Sequence, residues 1–254
     1  MTAKRKDQIR TLLKGIETGD AAAVAVVNQD KYIQHNPQTH EGSEGLAALF
    51  KRLSKTSPRV NIVRAFADGD YVFAHTEYDF ATRRIGFEVF RFEDDLAVEH
   101  WDNIQPRLGP NPSGHTMVDG PAEATDLDRT EANRDIVRSF VDDVLINRRL
   151  EQLDRYIDDA RLTQHNPQMA DGLPALRSAL EATSGEGTAI GYLRSHRLLA
   201  EGNFVLSVGE GTLGGDHTSF YDLFRLSGGK IVEHWDTIEA IPPRSAWKND
   251  NGKF

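Results

Sequence analysis

Two His-x-Asp pairs can handle protons: His100 with Asp102 in Val98-Glu-His-Trp-Asp102, and His234 with Asp236 in Val232-Glu-His-Trp-Asp236. On a strand each pair shares one face, because successive side chains point to opposite sides. Val98 and Ile104 fall on that face too, whereas Glu99, Trp101 and Asn103 fall on the other. A carboxylate held in apolar surroundings loses hydration and its pKa rises, which suits it to general acid/base work near neutrality. On the preceding strand Glu88, Phe90 and Phe92 alternate, answered by Asp222, Phe224 and Leu226. An acid among phenylalanines is costly to bury unless it is paired or protonated. A protonated Glu88 could donate to a developing oxyanion, and so could His100 or His35. His35 and His165 occupy a second recurring segment, Gln34-His-Asn-Pro-Gln38 and Gln164-His-Asn-Pro-Gln168. Structural readings stay open beside these. A strand histidine can simply bond a carbonyl, Asp102 and Asp236 can end strands as solvated acids, Glu88 can pair Arg91 or Arg64, and a histidine before Asn-Pro can organise a turn.

One strand earlier, Tyr71, Phe73, His75 and Glu77 align, as do Phe204, Leu206, Val208 and Glu210. Together with Phe90 and Phe224, the residues Tyr71, Phe73, His75, Phe204 and Leu206 are expected to line a pocket with an apolar floor and a titratable rim. His35, His75 and His100 would be a cation-binding trio if they converged, since imidazoles with a carboxylate bind zinc or iron. Val208 replaces the histidine in the second set and no close His-x-His or His-x-x-x-His spacing exists, so neither a metal nor any other cofactor is expected. Trp101 and Trp235 are expected to pack on the outer face of their sheets.

The elements that must position these residues occur twice. The Gln-His-Asn-Pro-Gln segments are 130 residues apart and the Val-Glu-His-Trp-Asp segments 134 apart, in the same order. A period this long makes each copy a complete domain and not a stacking unit. The expected division is a first domain over 1–106, a linker over 107–130, dense in proline, glycine and acid, and a second domain over 131–254. Within each copy the apolar period begins helical: Ile9, Leu12, Leu13 and Ile16 in one, Ile136, Phe140, Val141 and Val144 in the other. Asp20 is placed to cap a second short helix from Ala21. A third carries Leu46, Leu49, Phe50 and Leu53, and its counterpart starts with Pro174, a favoured first-turn residue. The period then becomes two over 60–66, 71–80, 85–92 and 96–104, with turn signals Asp68-Gly-Asp70, Thr82-Arg-Arg84 and Asp94-Asp95 between. Helices followed by an antiparallel meander predict an α+β fold, each copy a cone of N-terminal helices packed on a curved, mainly antiparallel sheet.

Composition narrows the chemistry. The 254 residues carry 39 acidic and 30 basic side chains, a net charge of −9, and no cysteine. Disulfides, thiolate metal sites and a cysteine nucleophile are excluded, and a reducing compartment such as the cytoplasm fits. Net acidity disfavours nucleic acid, whose phosphates are bound by clustered Lys and Arg. No apolar run near 20 residues predicts a membrane span, and the charged N-terminus lacks the apolar core of a signal peptide.

The helix-led halves with Tyr32-Ile-Gln-His-Asn-Pro37, Gly69-Asp-Tyr-Val-Phe-Ala-His75, Phe87-Glu-Val-Phe-Arg-Phe92 and the closing Val-Glu-His-Trp-Asp resemble the SnoaL-like polyketide cyclase branch of the nuclear transport factor 2 superfamily, present in tandem. The resemblance implies an α+β cone and an intramolecular aldol condensation without metal or cofactor. It also implies that the general acid/base aspartate falls on Asp102 and Asp236. The family's pocket histidine on the preceding strand falls on Glu88 and Asp222, a departure that separates this chain from the polyketide substrate. The expected function is a cofactor-independent cyclase, lyase or isomerase acting on a small, largely apolar carbonyl compound. The alternatives are an epoxide-type hydrolase in the same pocket and a non-catalytic ligand-binding or dimerising module. The expected partners are a small-molecule substrate and the other copy, in an internal pseudo-dimer, with a homodimer of chains a further option.

Overall fold

The backbone of a computed structural model, described over residues 2–182 and 189–254, folds as two α+β units. The first contains the chain up to Arg107 together with Pro242–Phe254, and the second is Leu108–Ile241.

In the first unit α1 (Thr2–Thr18) buries Ile9, Leu12, Leu13 and Ile16, the stripe its spacing predicts. Asp20 accepts from the Ala22 N–H and starts the 3-10 turn Ala21–Val26. A two-residue strand, β1 (Ile33–Gln34), precedes α2 (Gly42–Leu53). The meander follows as β2 (Arg59–Asp68), β3 (Tyr71–Asp79), β4 (Arg83–Glu93) and β5 (Leu96–Pro106). The sheet order is β1-β5-β4-β3-β2, antiparallel except where β1 lies parallel to β5 with Gln34 opposite His100. That short parallel strand was not expected, because two residues before an Asn-Pro carry no visible alternation.

The second unit repeats the plan. The helix α3 (Thr130–Phe140) runs into a π-helical turn at Val141–Ile146, followed by α4 (Leu153–Tyr156), β6 (Thr163–Gln164) and α5 (Leu173–Glu181), with Pro174 in the first turn of α5. The strands β7 (Ile190–Glu201), β8 (Phe204–Leu213), β9 (Asp216–Ser227) and β10 (Lys230–Ala240) give the order β6-β10-β9-β8-β7.

The helices cover the inner face of each sheet. In the first unit Ile9, Leu13 and Phe50 meet Val72, Tyr78, Phe90 and Phe92, and in the second Val137, Phe140 and Leu176 meet Val205, Phe224 and Leu226. A bulge at Val98 shifts the register, with Arg91 opposite Glu99 but Phe92 opposite Ala97. Ala97 therefore joins the inner core and Val98, expected beside His100, does not. The equivalent bulge lies at Val232.

The division of the chain differs from the expected one. The stretch 107–130 is not a free linker: Asn111 Nδ2 donates to the carbonyls of Gln164 and Met169, and its Oδ1 accepts from the Ser113 and His115 N–H groups. The last residues, expected with the second domain, belong to the first unit. There Asn249 Nδ2 donates to the carbonyls of Asn36 and Thr39. Proline and glycine mark these segments because each is a strap tied down by an asparagine amide, which stands in for the ladder bonds such backbone lacks.

Candidate active site

Cross-strand register decides which side chains enter each hollow. On the first sheet Ala74, Glu88 and Asp102 face one another across β3, β4 and β5, and Phe90 faces His100. Glu88, His100 and Asp102 are all buried. Glu88 Oε1 accepts from the Tyr78 hydroxyl at 2.6 Å, and Oε2 lies 2.7 Å from His100 Nε2. The other imidazole nitrogen, Nδ1, is 3.0 Å from Gln34 Oε1, an oxygen that also accepts from the Asn36 N–H. Nδ1 is therefore the protonated nitrogen, and Nε2 shares a proton with Glu88. Asn36 Nδ2 donates to Asp102 Oδ2 at 2.6 Å. Asp102 Oδ1 accepts no hydrogen bond and lies 3.6 Å from the Lys253 ammonium. Phe90 stacks on His100.

The second unit reproduces this from its own residues. Asp222 stands opposite Asp236 and Ser207, and Phe224 opposite His234. The Tyr192 hydroxyl reaches both oxygens of Asp222, at 2.9 and 3.1 Å. His234 Nε2 lies 3.1 Å from Asp222 Oδ1, and Nδ1 is 2.9 Å from Gln164 Oε1. Asn166 Nδ2 donates to Asp236 Oδ2 at 2.6 Å, and Asp236 Oδ1 is buried without a hydrogen bond. Tyr192, Asp222, His234 and Asp236 form the polar wall of a narrow, small cavity lined elsewhere by apolar residues such as Phe140, Leu145, Ile157, Leu176 and Ile231.

Burial raises the Asp236 carboxyl above the ordinary aspartate range, more than the neighbouring His234 can lower it. Burial alone would lower His234. The hydrogen bond to Asp222 and the charges of Asp236 and Asp222 outweigh it and hold the imidazole above its ordinary value. The phenols of Tyr78 and Tyr192 are pushed well above their ordinary value, first by burial and then by the acids they touch, so both remain donors.

The expected site residues thus divide. Asp102, His100, Glu88, Asp236, His234, Asp222, Phe90 and Phe224 converge. His35 and His165 do not. His35 Nε2 lies 3.0 Å from Glu99 Oε1 and Nδ1 3.0 Å from the Gly252 carbonyl, and the ring stacks on Trp101. His165 makes the same contacts with Glu233, the Thr116 carbonyl and Trp235. Both lie on the outer face with Trp101 and Trp235, because β1 and β6 alternate too, and the oxyanion role expected of His35 has no geometric basis. Tyr71, Phe73, His75, Phe204 and Leu206 also lie on the outer face, not in the pockets. Phe73 stands opposite Val89, which faces Trp101; His75 stacks on Phe87; Tyr71 contacts Trp101, and Phe204 contacts Trp235. Those strands had been phased by apolar content, but both faces are apolar and buried, so composition could not tell them apart.

The residues missed are the neighbours of those chosen. Gln34, Asn36, Gln164 and Asn166 flank His35 and His165 and point inward. Tyr78 comes from β3 in the first unit, whereas Tyr192 comes from β7 in the second. Tyr32 is buried near Glu88 and Asp102, which with desolvation raise its phenol well above the ordinary value. Alternation applied to Gln34-His35-Asn36 was the available signal.

One nitrogen and two carboxylate oxygens of Glu88, His100 and Asp102, and of Asp222, His234 and Asp236, lie within 4.8 Å of one another. The imidazole nitrogen in each set is hydrogen-bonded to the acid beside it. The trio His35, His75 and His100 does not assemble, since two of its members lie on the outer face.

The family model described as a SnoaL-like domain matches residues 9–100. No curated protein matches the sequence. Among solved structures, TsrD from Streptomyces laurentii is 20% identical, with 41% of this chain and 89% of that chain covered and a TM-score of 0.37. An epoxide hydrolase from M. tuberculosis, described as LEH-like, is 20% identical over 41% of this chain and 84% of its own, with a TM-score of 0.36. An NTF2-like protein of unknown function from Mesorhizobium loti is 17% identical over 41% and 93%, with a TM-score of 0.37. Among the described residues no helix is long and apolar enough to cross a membrane.

Proposed function

We propose that this protein, whose residues 9–100 match the SnoaL-like domain model, is a cofactor-independent acid/base enzyme that removes a proton α to the carbonyl of a small, largely apolar compound. The observation that carries the reading is Asp236 Oδ1, a carboxylate oxygen buried on the wall of an apolar cavity with no hydrogen bond. Leaving such an acceptor unmet costs about 1–3 kcal/mol or more for a charged group, a cost that a substrate C–H or hydroxyl placed there would offset.

The steps follow from the contacts. Asn166 fixes Asp236 through Oδ2, so that Oδ1 faces the cavity and takes the proton. A carboxyl raised by burial is a stronger base than one in water, and the proton transfer is correspondingly easier. Negative charge then develops on the carbonyl oxygen. Tyr192 and His234 are the donors on the same wall, each already turned toward a carboxylate and able to share its hydrogen with an oxyanion. Gln164 accepts from His234 Nδ1 and so turns Nε2 inward, and the imidazolium, favoured by the acids beside it, carries the Nε2 hydrogen that is shared. In the first unit Asn36, Asp102, Tyr78, His100 and Gln34 take these parts. Condensation, isomerisation and elimination all begin with this step, and the substrate decides which follows.

Solvent-deuterium exchange into a panel of small apolar ketones and aldehydes tests the proposal. The wild-type protein should exchange the α-hydrogen, and Asp102→Asn combined with Asp236→Asn should lower the rate per folded molecule by about 10²–10⁴. Undiminished exchange in the double variant would discard the role. Incorporation of labelled water oxygen into an epoxide, with no α-exchange, would move the same aspartates to a hydrolase.

A further inference from the structure

The two pockets differ at one charged residue that the duplication does not explain. Both straps carry Asn-x-x-Gly followed by a basic residue: Asn111 to Gly114 and His115, and Asn249 to Gly252 and Lys253. In the second unit His115 turns to Asp171, with Nε2 3.0 Å from Oδ2. In the first unit the strap is pinned by Asn249 to the carbonyls of Asn36 and Thr39, by Asn251 Nδ2 to the Gln34 carbonyl and by His35 to the Gly252 carbonyl. Those bonds hold the strap against the Gln34-His35-Asn36 segment that supplies the pocket's amides. Lys253 follows directly, its side chain only 2% exposed, with the ammonium 3.6 Å from Asp102 Oδ1.

We propose that Lys253 is a positioning residue of the first site, whose ammonium holds the Asp102 carboxylate aimed inward through a buried ion pair. The inference rests on the proposed acid/base role of Asp102. A buried carboxylate without a partner is strongly disfavoured, and an ammonium at this distance reverses the preference. Asp102 also faces Glu88 on β4, His100 on β5, Tyr78 on β3 and Tyr32. Three of these are acids or phenols whose negative forms would oppose its ionisation, and the shared proton between His100 and Glu88 leaves that pair close to neutral overall. Lys253 is thus the added positive charge that decides the state of Asp102. Among the described residues no lysine or arginine is ion-paired with Asp236, the aspartate that burial raises. The first site should therefore depend on Lys253, whereas the second works without such an ion pair.

The carboxyl ¹³C resonances of aspartates in the full chain test this without reference to turnover. The Asp102 signal is assigned by its loss in Asp102→Asn. Lys253→Met should move its titration midpoint up by about 1–3 pH units, Lys253→Arg should restore it, and the Asp236 midpoint should stay in place. If Lys253→Met does not fold, the reciprocal measurement serves: the Lys253 ammonium, followed by ¹⁵N resonance, should titrate lower in Asp102→Asn than in wild type. An Asp102 midpoint unmoved by Lys253→Met, or a Lys253 midpoint unmoved by Asp102→Asn, overturns the proposal. Undiminished exchange by the double aspartate variant, with the titration shift present, would instead discard the catalytic reading and leave the ion pair standing.

Discussion

Tyr78 and Tyr192 make the same hydrogen bond from opposite members of one strand pair. Tyr78 on β3 stands opposite Val60 on β2, whereas in the second copy the tyrosine is on β7 and the residue opposite it on β8 is Gly211. Both hydroxyls end on the same acid position of the third meander strand, Glu88 on β4 or Asp222 on β9. The phenol has changed strands while its target has not. A Cβ on Gly211 would lie 2.0 Å from the Gly191 carbonyl, so a side chain cannot return there without moving backbone. Two unequal solutions that satisfy one buried acid show that the acid must be met by a donor.

Tyr78→Phe and Tyr192→Phe each remove that donor and leave a buried carboxylate oxygen short of a bond. Each is expected to destabilise by about 1–3 kcal/mol, seen as a fall of roughly 2–4 °C in melting temperature per kcal/mol. Each should also slow α-exchange. Calorimetry of both variants provides the check. Unchanged melting in both would mean that water or another donor replaces the phenol.

Asp236 predicts a pH dependence with a definite direction. Its folded-state carboxyl is held above the unfolded value by burial. The folded chain therefore keeps this proton after the unfolded chain has lost it. The contribution to stability is most favourable below the unfolded aspartate value and is lost as pH rises through the folded one. His234, also raised, behaves alike: its contribution is present below pH 6.5 and is lost as pH rises through its folded value. Asp236→Asn removes the cost of ionising the buried group. The amide oxygen can accept from Asn166, and the new NH₂ occupies the place of Oδ1. The variant should gain melting temperature over wild type as pH rises from 4 to 8, and a gain that is flat or falling across that range would contradict the cause assigned here.

The fold was legible because its signals are local and repeated. The helix stripe Ile9-Leu12-Leu13-Ile16 and the turn pairs between strands need no long-range information. The convergence of Glu88, His100 and Asp102 was readable for a related reason, since a polar residue among apolar strand-mates has only one face to occupy. The phase of β3 was not readable. Phe73 and Val72 are both buried and both apolar, so nothing in the segment says which one meets Glu88. Tyr78, which settles the question by its bond to Glu88, looks in sequence like any aromatic strand residue. Lys253 and Asn249 were invisible as site residues for another reason: their partners lie more than 140 positions away, and the tail that carries them follows the second copy in sequence.

His35 and His165 give a prediction that separates support from chemistry. Each imidazole is buried between a carbonyl, a tryptophan face and a glutamate, and Glu233 is held below the ordinary glutamate range by His165 and Arg225, although burial alone would raise it. Removing one partner of a buried pair costs about 3–5 kcal/mol, mostly through the charge left behind. His165→Phe should therefore lower stability by that order, while the folded fraction retains α-exchange. Loss of exchange out of proportion to loss of folded protein would return His165 to the reaction.

The straps carry the last prediction. Asn249 satisfies two backbone carbonyls, of Asn36 and Thr39, and the Asn251 N–H bonds to its Oδ1. Asn111 does the same for Gln164 and Met169 and receives two N–H groups. Alanine at either position strands these groups, and each one left buried without a partner costs about 1–3 kcal/mol. The two variants should differ in what they release. Asn249→Ala loosens the segment that brings Lys253 to Asp102, so cleavage by a protease should begin in residues 242–254 and the Asp102 carboxyl resonance should respond as in Lys253→Met. Asn111→Ala loosens the stretch around residues 108–119, so early cleavage should map there and the Asp102 resonance should stay as in wild type. Identical cleavage maps would show that the straps are not independently anchored.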